Sequence, residues 1–321
     1  MYLLAKKWWR WLLIHKSKFF FCCGICWICK LLFGMYCGFC VYTSPASLIP
    51  PAGKCRVDLH QLGQVEPIPS FVPEFSTAIS ANTHVMKGGV GKPSNCEASQ
   101  KLAIIIPYKD RLEHLKILLY RLHNMLTKQL LRYTIFVVEQ VNNGLFNKGR
   151  LLNRGYIEAL GITDFDCFIF HDVDMIPEND QNLYMCDDYA RHLSPAVDEM
   201  GYSLKYYKLV GGVLAIRSRN FLRINGYSNG YWGWGAEDDD LANRIISSGM
   251  LISRPPNSIG RYTMIKHLKS HKSPIRHKRL DKWRENWNDG LNIVFSKTKV
   301  VTIVKHALFT NIKVDVGNQS D

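Results

Sequence analysis

Apolar and polar residues alternate along the middle of the chain in blocks that predict strands and helices in turn. Continuous apolar runs predict buried strands at residues 102–107, 133–138 and 167–170. Helical spacing of apolar residues predicts helices at 113–131 and 149–160. This alternation predicts an α/β fold with a mostly parallel sheet and ligands at the carboxyl ends of its strands. Scattered Pro, Gly and Ser predict irregular structure at 55–100.

A second pattern places acidic residues beside tryptophans. Four consecutive carboxylates, 237–240, follow Trp232 and Trp234 on a glycine-spaced turn, and helical spacing starts directly after them. A helix N-terminus favours anions, so a capped surface helix is one interpretation. The tryptophans favour a sugar site, because sugar hydroxyls bind carboxylates and sugar C–H faces pack on indoles.

A third pattern follows the strand predicted at 167–170. Asp172 and Asp174 come directly after it, where two carboxylates can reach a divalent cation bound to a diphosphate. Glycosyl transfer from a nucleotide sugar uses such a cation. Met264 and His267 follow another apolar segment and could complete a mixed oxygen, nitrogen and sulfur site that suits Mn²⁺. A chance Asp-x-Asp loop and a structural histidine are the alternatives.

The N-terminal segment contains a long apolar stretch. Residues 19–42 are long enough to span a bilayer, although Lys30 costs about 3 kcal/mol at a helix centre. Basic residues precede the stretch, which predicts a cytoplasmic N-terminus and a type II signal anchor; a cleaved signal peptide is the alternative. We therefore expect a cytoplasmic tail at 1–18, the anchor at 19–42, a stem at 43–54 and a lumenal catalytic domain at 55–321.

Cysteine content and charge refine this prediction. Six of the ten cysteines lie in the apolar stretch, and Cys55, Cys96, Cys167 and Cys186 lie beyond it. Four cysteines in an oxidising lumen predict two disulfides with three possible connectivities. The formal charge of +14 suggests an anionic partner. We find no nucleic-acid-binding motif, so we do not expect nucleic acid to be that partner. Asn318 begins the one N-glycosylation sequon.

Together these motifs resemble the β-1,4-galactosyltransferases, which are metal-dependent inverting enzymes of the Golgi with a GT-A fold and a Rossmann-like sheet. The resemblance covers roughly residues 96–321. It rests on the segments Ile106–Arg111, Phe146–Lys148, Phe170–Asp174, Gly211–Val213, Tyr231–Asp240 and Met264–His267.

The resemblance implies a role for each matching position. Mn²⁺ would be held by Asp174, Met264 and His267. The UDP-sugar pocket would comprise Pro107, Tyr108, Lys109, Arg111, Phe146, Lys148, Val173, Asp174, Leu209, Gly212, Trp234 and His267. The acceptor would contact Tyr206, Trp234, Glu237, Asp238 and Asp239, with Glu237 and Asp238 catalytic and Asp238 taking the acceptor proton. Disulfides would join Cys55 to Cys96 and Cys167 to Cys186.

One departure from the family pattern concerns the donor sugar. Galactose-specific members carry an aromatic pair before the two glycines, whereas this chain has Leu209 and Val210. A smaller residue at position 209 leaves room for an acetamido group. We therefore predict transfer of GalNAc from UDP-GalNAc to the 4-hydroxyl of a terminal β-GlcNAc on a glycoprotein or glycolipid at the Golgi membrane. Transfer from UDP-Gal is the nearest alternative; a xylose-directed galactosyltransferase, a lectin-like pseudoenzyme and a nucleic-acid-binding protein are others.

Overall fold

The computed structural model describes residues 40–43, 48, 50, 52–63, 69, 71–267 and 272–319. The chain divides into two compact units, Met1–Cys40 and Val41–Asp321. The predicted tail and most of the predicted anchor lie outside the described residues. The last three residues of that anchor, Cys40–Tyr42, form a strand instead of a helix. Within the part described, no helix is both long and apolar enough to cross a bilayer.

Strands dominate the described structure. They are β1 (Cys40–Tyr42), β2 (Val90–Gly91), β3 (Lys101–Tyr108), β4 (Arg132–Gln140), β5 (Cys167–His171), β6 (Met175–Pro177), β7 (Ala190–His192), β8 (Ala196–Val197), β9 (Val213–Arg217), β10 (Ile252–Arg254), β11 (Arg261–Met264), β12 (Lys299–Lys305) and β13 (Thr310–Asp315). The helices are α1 (Phe75–Ala81), α2 (Leu112–Lys128), α3 (Lys148–Ile162), α4 (Ser218–Arg223), α5 (Glu237–Ser247), α6 (Arg276–Asp281) and α7 (Val294–Lys297).

The main sheet is built around β3. Its strands follow the order β1-β10-β7-β9-β5-β3-β4-β13-β12, and β2 pairs with β4 outside this order. A separate small sheet has the order β6-β11-β8. Every residue from Leu102 to Ile106 is fully buried, because helices cover both faces of a βαβ sheet. The predicted strands and helices thus match β3, α2, β4, α3 and β5.

The prediction of a mostly parallel sheet is wrong in part. The strands β5, β3, β4 and β13 are parallel, but β9 is antiparallel to β5 and to β7. Strand β12 is antiparallel to β13, and β2 to β4. Parallel pairing needs a crossover connection, usually a helix, and such helices separate β3, β4 and β5. No α-helix lies between β5 and β9, and β9 returns antiparallel along β5.

Both disulfides join the pairs that the resemblance implied. Cys55 is bonded to Cys96 and Cys167 to Cys186. The first ties down the segment predicted to be irregular, which also contains α1 and β2. The second holds the first residue of β5 to the segment before β7. It therefore fixes the strand that leads into the Asp172–Asp174 segment.

Candidate active site

The four consecutive carboxylates lie in the first turn of α5, as predicted, and they have different partners. Glu237 and Asp238 face Lys148. The Asp239 carboxylate accepts a hydrogen bond from the hydroxyl of Tyr206 at 2.8 Å. The fourth carboxylate has a structural role that is described below. The four carboxylates therefore differ in role. Glu237 and Asp238 are candidates for catalysis, Asp239 is a candidate for binding the acceptor sugar, and the fourth stabilises the fold.

Lys148 lies at the centre of a carboxylate cluster. Its ammonium is 3.0 Å from Asp172, 3.1 Å from Asp238 and 3.5 Å from Glu237. Burial opposes its charge, but the surrounding carboxylates outweigh burial and raise the pKa of Lys148 well above its usual value. Burial, together with the neighbouring charge of Asp238, raises the pKa of Glu237 to about 8. The cluster combines one permanent cation with a carboxyl group that holds a proton near neutral pH.

Asp240 is buried and paired. Its side chain and that of Arg244 are 0% exposed, and Arg244 Nε donates to Asp240 Oδ1 at 2.6 Å. The hydroxyl of Tyr231 donates to the other Asp240 oxygen. Arg244 also donates to backbone carbonyls of the segment after α6, at residues 286, 287 and 289. This pair therefore fixes the start of α5 against that segment.

The candidate metal ligands meet beyond the end of β5. Asp174 Oδ2 lies 2.7 Å from His267 Nε2. Burial raises the pKa of Asp174, but the hydrogen bond from His267 lowers it below its usual value overall. Met264, in β11, pairs with Met175, the residue after Asp174. The three predicted ligands are therefore brought to one place by the pairing of β11 with β6.

This donor set fits a divalent cation. Arginine can only donate, so the Arg111 guanidinium 3.0 Å from His267 Nδ1 makes that nitrogen an acceptor. His267 Nε2 then carries the proton that is donated to Asp174, and this proton would have to leave before Nε2 could bind a cation. In the described part of the chain, no three Asp, Glu, His or Cys side chains are grouped to hold a metal. Asp174 would supply a hard oxygen ligand and His267 a borderline nitrogen ligand beside the Met264 thioether, and substrate oxygens would supply others.

The tryptophan loop, residues 231–236, separates its two indoles. Trp232 is 5% exposed and packs against the Arg150 guanidinium, 4.8 Å from its ring centroid. Trp234 is 48% exposed, with the Lys272 ammonium 5.0 Å from its ring. Only Trp234 therefore offers an open face to a sugar. Ala236 ends the loop in the left-handed region, with φ of 78°.

The segment 206–212 passes over Asp238. A Cβ added at Gly211 would lie 2.7 Å from Asp238 Oδ2, so a larger residue there would displace this carboxylate. Gly212 has φ of 89°, and an added Cβ there would lie 2.7 Å from Ser194 Oγ. Leu209 is partly buried two residues earlier, so the predicted donor-selecting position lies in the same short segment.

Two buried residues that hold this segment were not predicted. Arg254 donates to the carbonyls of Tyr207 and Leu209, at 2.8 and 2.7 Å. His192 is hydrogen-bonded to the Gly211 carbonyl through Nε2 at 2.9 Å, and burial, helped by the Arg254 charge, lowers the pKa of His192 to about 3. Arginine and histidine in short strands carry no motif of their own, so the sequence offered no reason to assign either residue to the site.

The remaining residues predicted for the donor pocket also lie along this edge. Pro107 and Tyr108 are the last residues of β3, and Val173 is buried between the two aspartates. The ammonium of Lys109 donates to backbone carbonyls at residues 142 and 144. The Phe146 carbonyl accepts from the backbone N–H of Gly233 at 2.8 Å, which joins the pocket to the tryptophan loop.

Comparison with known protein families finds two matches. The profile of the N-terminal region of glycosyl transferase group 7 matches residues 57–187. The profile of the N-terminal domain of galactosyltransferase matches residues 191–268, so the two profiles cover more than half of the chain. The chain belongs to glycosyl transferase group 7. The family assignment made from the motifs is therefore confirmed.

Its relatives in group 7 include several vertebrate proteins. The chain is 42% identical over 279 residues to β-1,4-galactosyltransferase 3 of Cricetulus griseus, an alignment that covers 85% of this chain and 70% of the relative. It is 45% identical over 243 residues to human β-1,4-galactosyltransferase 1, covering 74% of this chain and 61% of that protein. The chain thus spans about two thirds of the length of these relatives.

A solved structure of the same family has a similar fold. It is a Drosophila β-1,4-galactosyltransferase 7 variant in complex with manganese, UDP-Gal and xylobiose. The TM-score is 0.60 at 28% identity, and the match covers 68% of this chain and 94% of that one. The described structure is therefore a mixed α/β fold of the GT-A type.

Proposed function

We propose that the chain is an inverting, Mn²⁺-dependent β-1,4-galactosyltransferase that moves galactose from UDP-Gal to the 4-hydroxyl of a terminal β-GlcNAc. One observation carries this proposal. Glu237 and Asp238 lie around Lys148, at the same end of the sheet as the Asp174–His267 pair. Membership in group 7 and the names of the relatives support galactose as the donor sugar.

Each site residue has its own role in a single in-line displacement. Asp238 accepts the proton of the acceptor hydroxyl as it attacks the anomeric carbon, which inverts the configuration. Tyr206 and Asp239 bind the acceptor, and Trp234 packs on the sugar faces. Asp174, Met264 and His267 would hold Mn²⁺, which would supply positive charge to stabilise the departing diphosphate. The Lys148 ammonium balances the charge of Asp238.

UDP-GalNAc is a second candidate donor because of one observation. Position 209 carries a leucine, and Val210 beside it is buried, so no aromatic ring closes the pocket at this point. The relatives favour galactose, whereas this local feature favours the larger sugar. The two donors differ in a single acetamido group, so a competition assay separates them.

The donor assay compares UDP-Gal with UDP-GalNAc on the full-length chain, using Mn²⁺ and a β-GlcNAc acceptor. Leu209→Tyr is expected to lower the GalNAc-to-Gal ratio of kcat/KM at least about tenfold, because a ring at this position occupies the acetamido space. Leu209→Met keeps the volume without the ring and serves as the matched control. An unchanged ratio in Leu209→Tyr would show that residue 209 does not select the donor.

We further propose a type II topology at the Golgi membrane, with residues 55–321 in the lumen. The basic residues before the apolar stretch at 19–42 and the two disulfides support this orientation. A C-terminal epitope tag should resist protease in intact microsomes and be degraded after detergent treatment. Digestion of the tag in intact vesicles would rule this topology out.

A further inference from the structure

A row of buried polar side chains connects the end of β5 to β11. His171, Tyr184, Tyr262 and Asn182 are all fully buried. His171 Nε2 lies 2.9 Å from the Tyr184 hydroxyl, and that hydroxyl lies 2.9 Å from the Tyr262 hydroxyl. The side-chain amide of Asn182 donates to the Tyr262 hydroxyl at 3.3 Å. We call these four residues the tyrosine network.

The hydrogen bonds of the tyrosine network all run in one direction. His171 Nδ1 lies 2.9 Å from the Asp172 carbonyl oxygen, which can only accept, so Nδ1 carries a proton. Burial lowers the pKa of His171 to about 4, so the ring is neutral and Nε2 accepts from the Tyr184 hydroxyl. The Tyr184 oxygen then accepts from Tyr262, whose own oxygen accepts from Asn182. Each of the two hydroxyls therefore both donates and accepts, and neither is left without a partner.

Both ends of the network lie close in sequence to predicted metal ligands. His171 is the last residue of β5, three residues before Asp174. Tyr262 is two residues before Met264 in β11, and residues two apart in a strand lie on the same face. The backbone adds a further connection, because the N–H of Ile265 donates to the Asp174 carbonyl at 2.8 Å. The hydroxyl contacts therefore tie the strand that carries Met264 to the strand end that leads to Asp174.

Packing alone does not require the two hydroxyls. A phenylalanine would bury the same ring without a polar group, and a buried polar group costs free energy unless its partners are in place. A fully satisfied network, however, fixes one arrangement of the segments that it joins. We propose that Tyr184 and Tyr262 are positioning residues that set the separation of Met264 from Asp174 and thereby the affinity for Mn²⁺. This proposal rests on the proposed function, because that function assigns the Mn²⁺ ligands.

The test measures Mn²⁺ binding to the full-length protein in the presence of UDP, by electron paramagnetic resonance of the unbound ion. Tyr184→Phe and Tyr262→Phe keep the rings and remove the hydroxyls. Each is expected to raise the Mn²⁺ dissociation constant about five- to tenfold, since these residues act on the ligands through the backbone. The double variant should exceed the larger single loss by less than about twofold, because either change already interrupts the same network.

Tyr156→Phe is the matched control. Tyr156 is a buried tyrosine of α3 whose hydroxyl donates to the Ser218 carbonyl at 3.2 Å, and its ring packs on Phe168 and Phe221. This variant should lower the melting temperature as the other two do, but change the dissociation constant for Mn²⁺ less than about twofold.

Unchanged Mn²⁺ affinity in both Tyr184→Phe and Tyr262→Phe, or an equal loss in the control, would overturn the proposal. Single losses that multiply in the double variant would also overturn it, because the two hydroxyls would then act independently. If the wild-type protein binds Mn²⁺ but transfers no galactose, the proposed function fails and the affinity comparison still decides the role of the tyrosines. If it binds no Mn²⁺, both proposals fail.

Discussion

Replacing Asp238 with asparagine is expected to lower kcat by about 10²–10⁴, the usual contribution of a positioned general base. The amide has almost the same shape and keeps one oxygen for Lys148, which lies 3.1 Å from both carboxylate oxygens. It lacks the proton-accepting capacity that the attacking hydroxyl needs. Transfer from the donor to a β-GlcNAc acceptor, followed by product chromatography at saturating substrate, measures the loss.

The comparison variant for this prediction is Asp239→Asn. Asp239 is the adjacent carboxylate, and its partner is the Tyr206 hydroxyl instead of Lys148. Its replacement is expected to act mainly on the acceptor KM and to leave kcat within about tenfold, because it removes binding that is common to ground and transition states. If Asp238→Asn retained more than about a tenth of wild-type kcat, the proton acceptor would have to be another group.

Replacing Arg244 with methionine is expected to lower the free energy of unfolding by about 3–5 kcal/mol. The change leaves Asp240 buried without its cation and removes the contacts that Arg244 makes with carbonyls at residues 286, 287 and 289. Burial already raises the pKa of Asp240, and the Arg244 charge opposes that rise. Urea unfolding monitored by tryptophan fluorescence measures the change.

A surface ion pair provides the contrast. Lys282 and Glu285 are both exposed and 3.2 Å apart, and Lys282→Met should cost less than about 1 kcal/mol. The double replacement Asp240→Leu with Arg244→Met should recover part of the stability, since no charge is then left unpaired in the core. A loss of under about 1 kcal/mol in Arg244→Met alone would show that the pair does not anchor α5.

The sequence predicted those parts of the site that depend on neighbouring residues. Asp172 and Asp174 follow a buried apolar run, and Glu237–Asp240 precede helical spacing, so their positions at a strand end and a helix start were readable. The pairing of β11 with β6, which brings Met264 beside Asp174, joins segments almost 90 residues apart. Only the family resemblance predicted that Met264 and Asp174 lie together, because no local sequence pattern indicates it.

Other features depended on tertiary packing. The local pattern did not distinguish Trp232 from Trp234, and only the family resemblance selected Trp234. In the structure, the Arg150 guanidinium covers Trp232 and leaves Trp234 open. The acidic residues also looked alike, and their partners come from three separate segments. The return of β9 antiparallel to β5 was missed because nothing in residues 178–212 resembles either a helix or a long strand.

The glycines over Asp238 limit how donor specificity could change during evolution. A side chain at Gly211 would collide with the base, and one at Gly212 would meet Ser194 in a strained conformation. Positions 209 and 210 are not constrained in this way. If residue 209 selects the donor, a single substitution there could exchange one donor sugar for another without displacing Asp238.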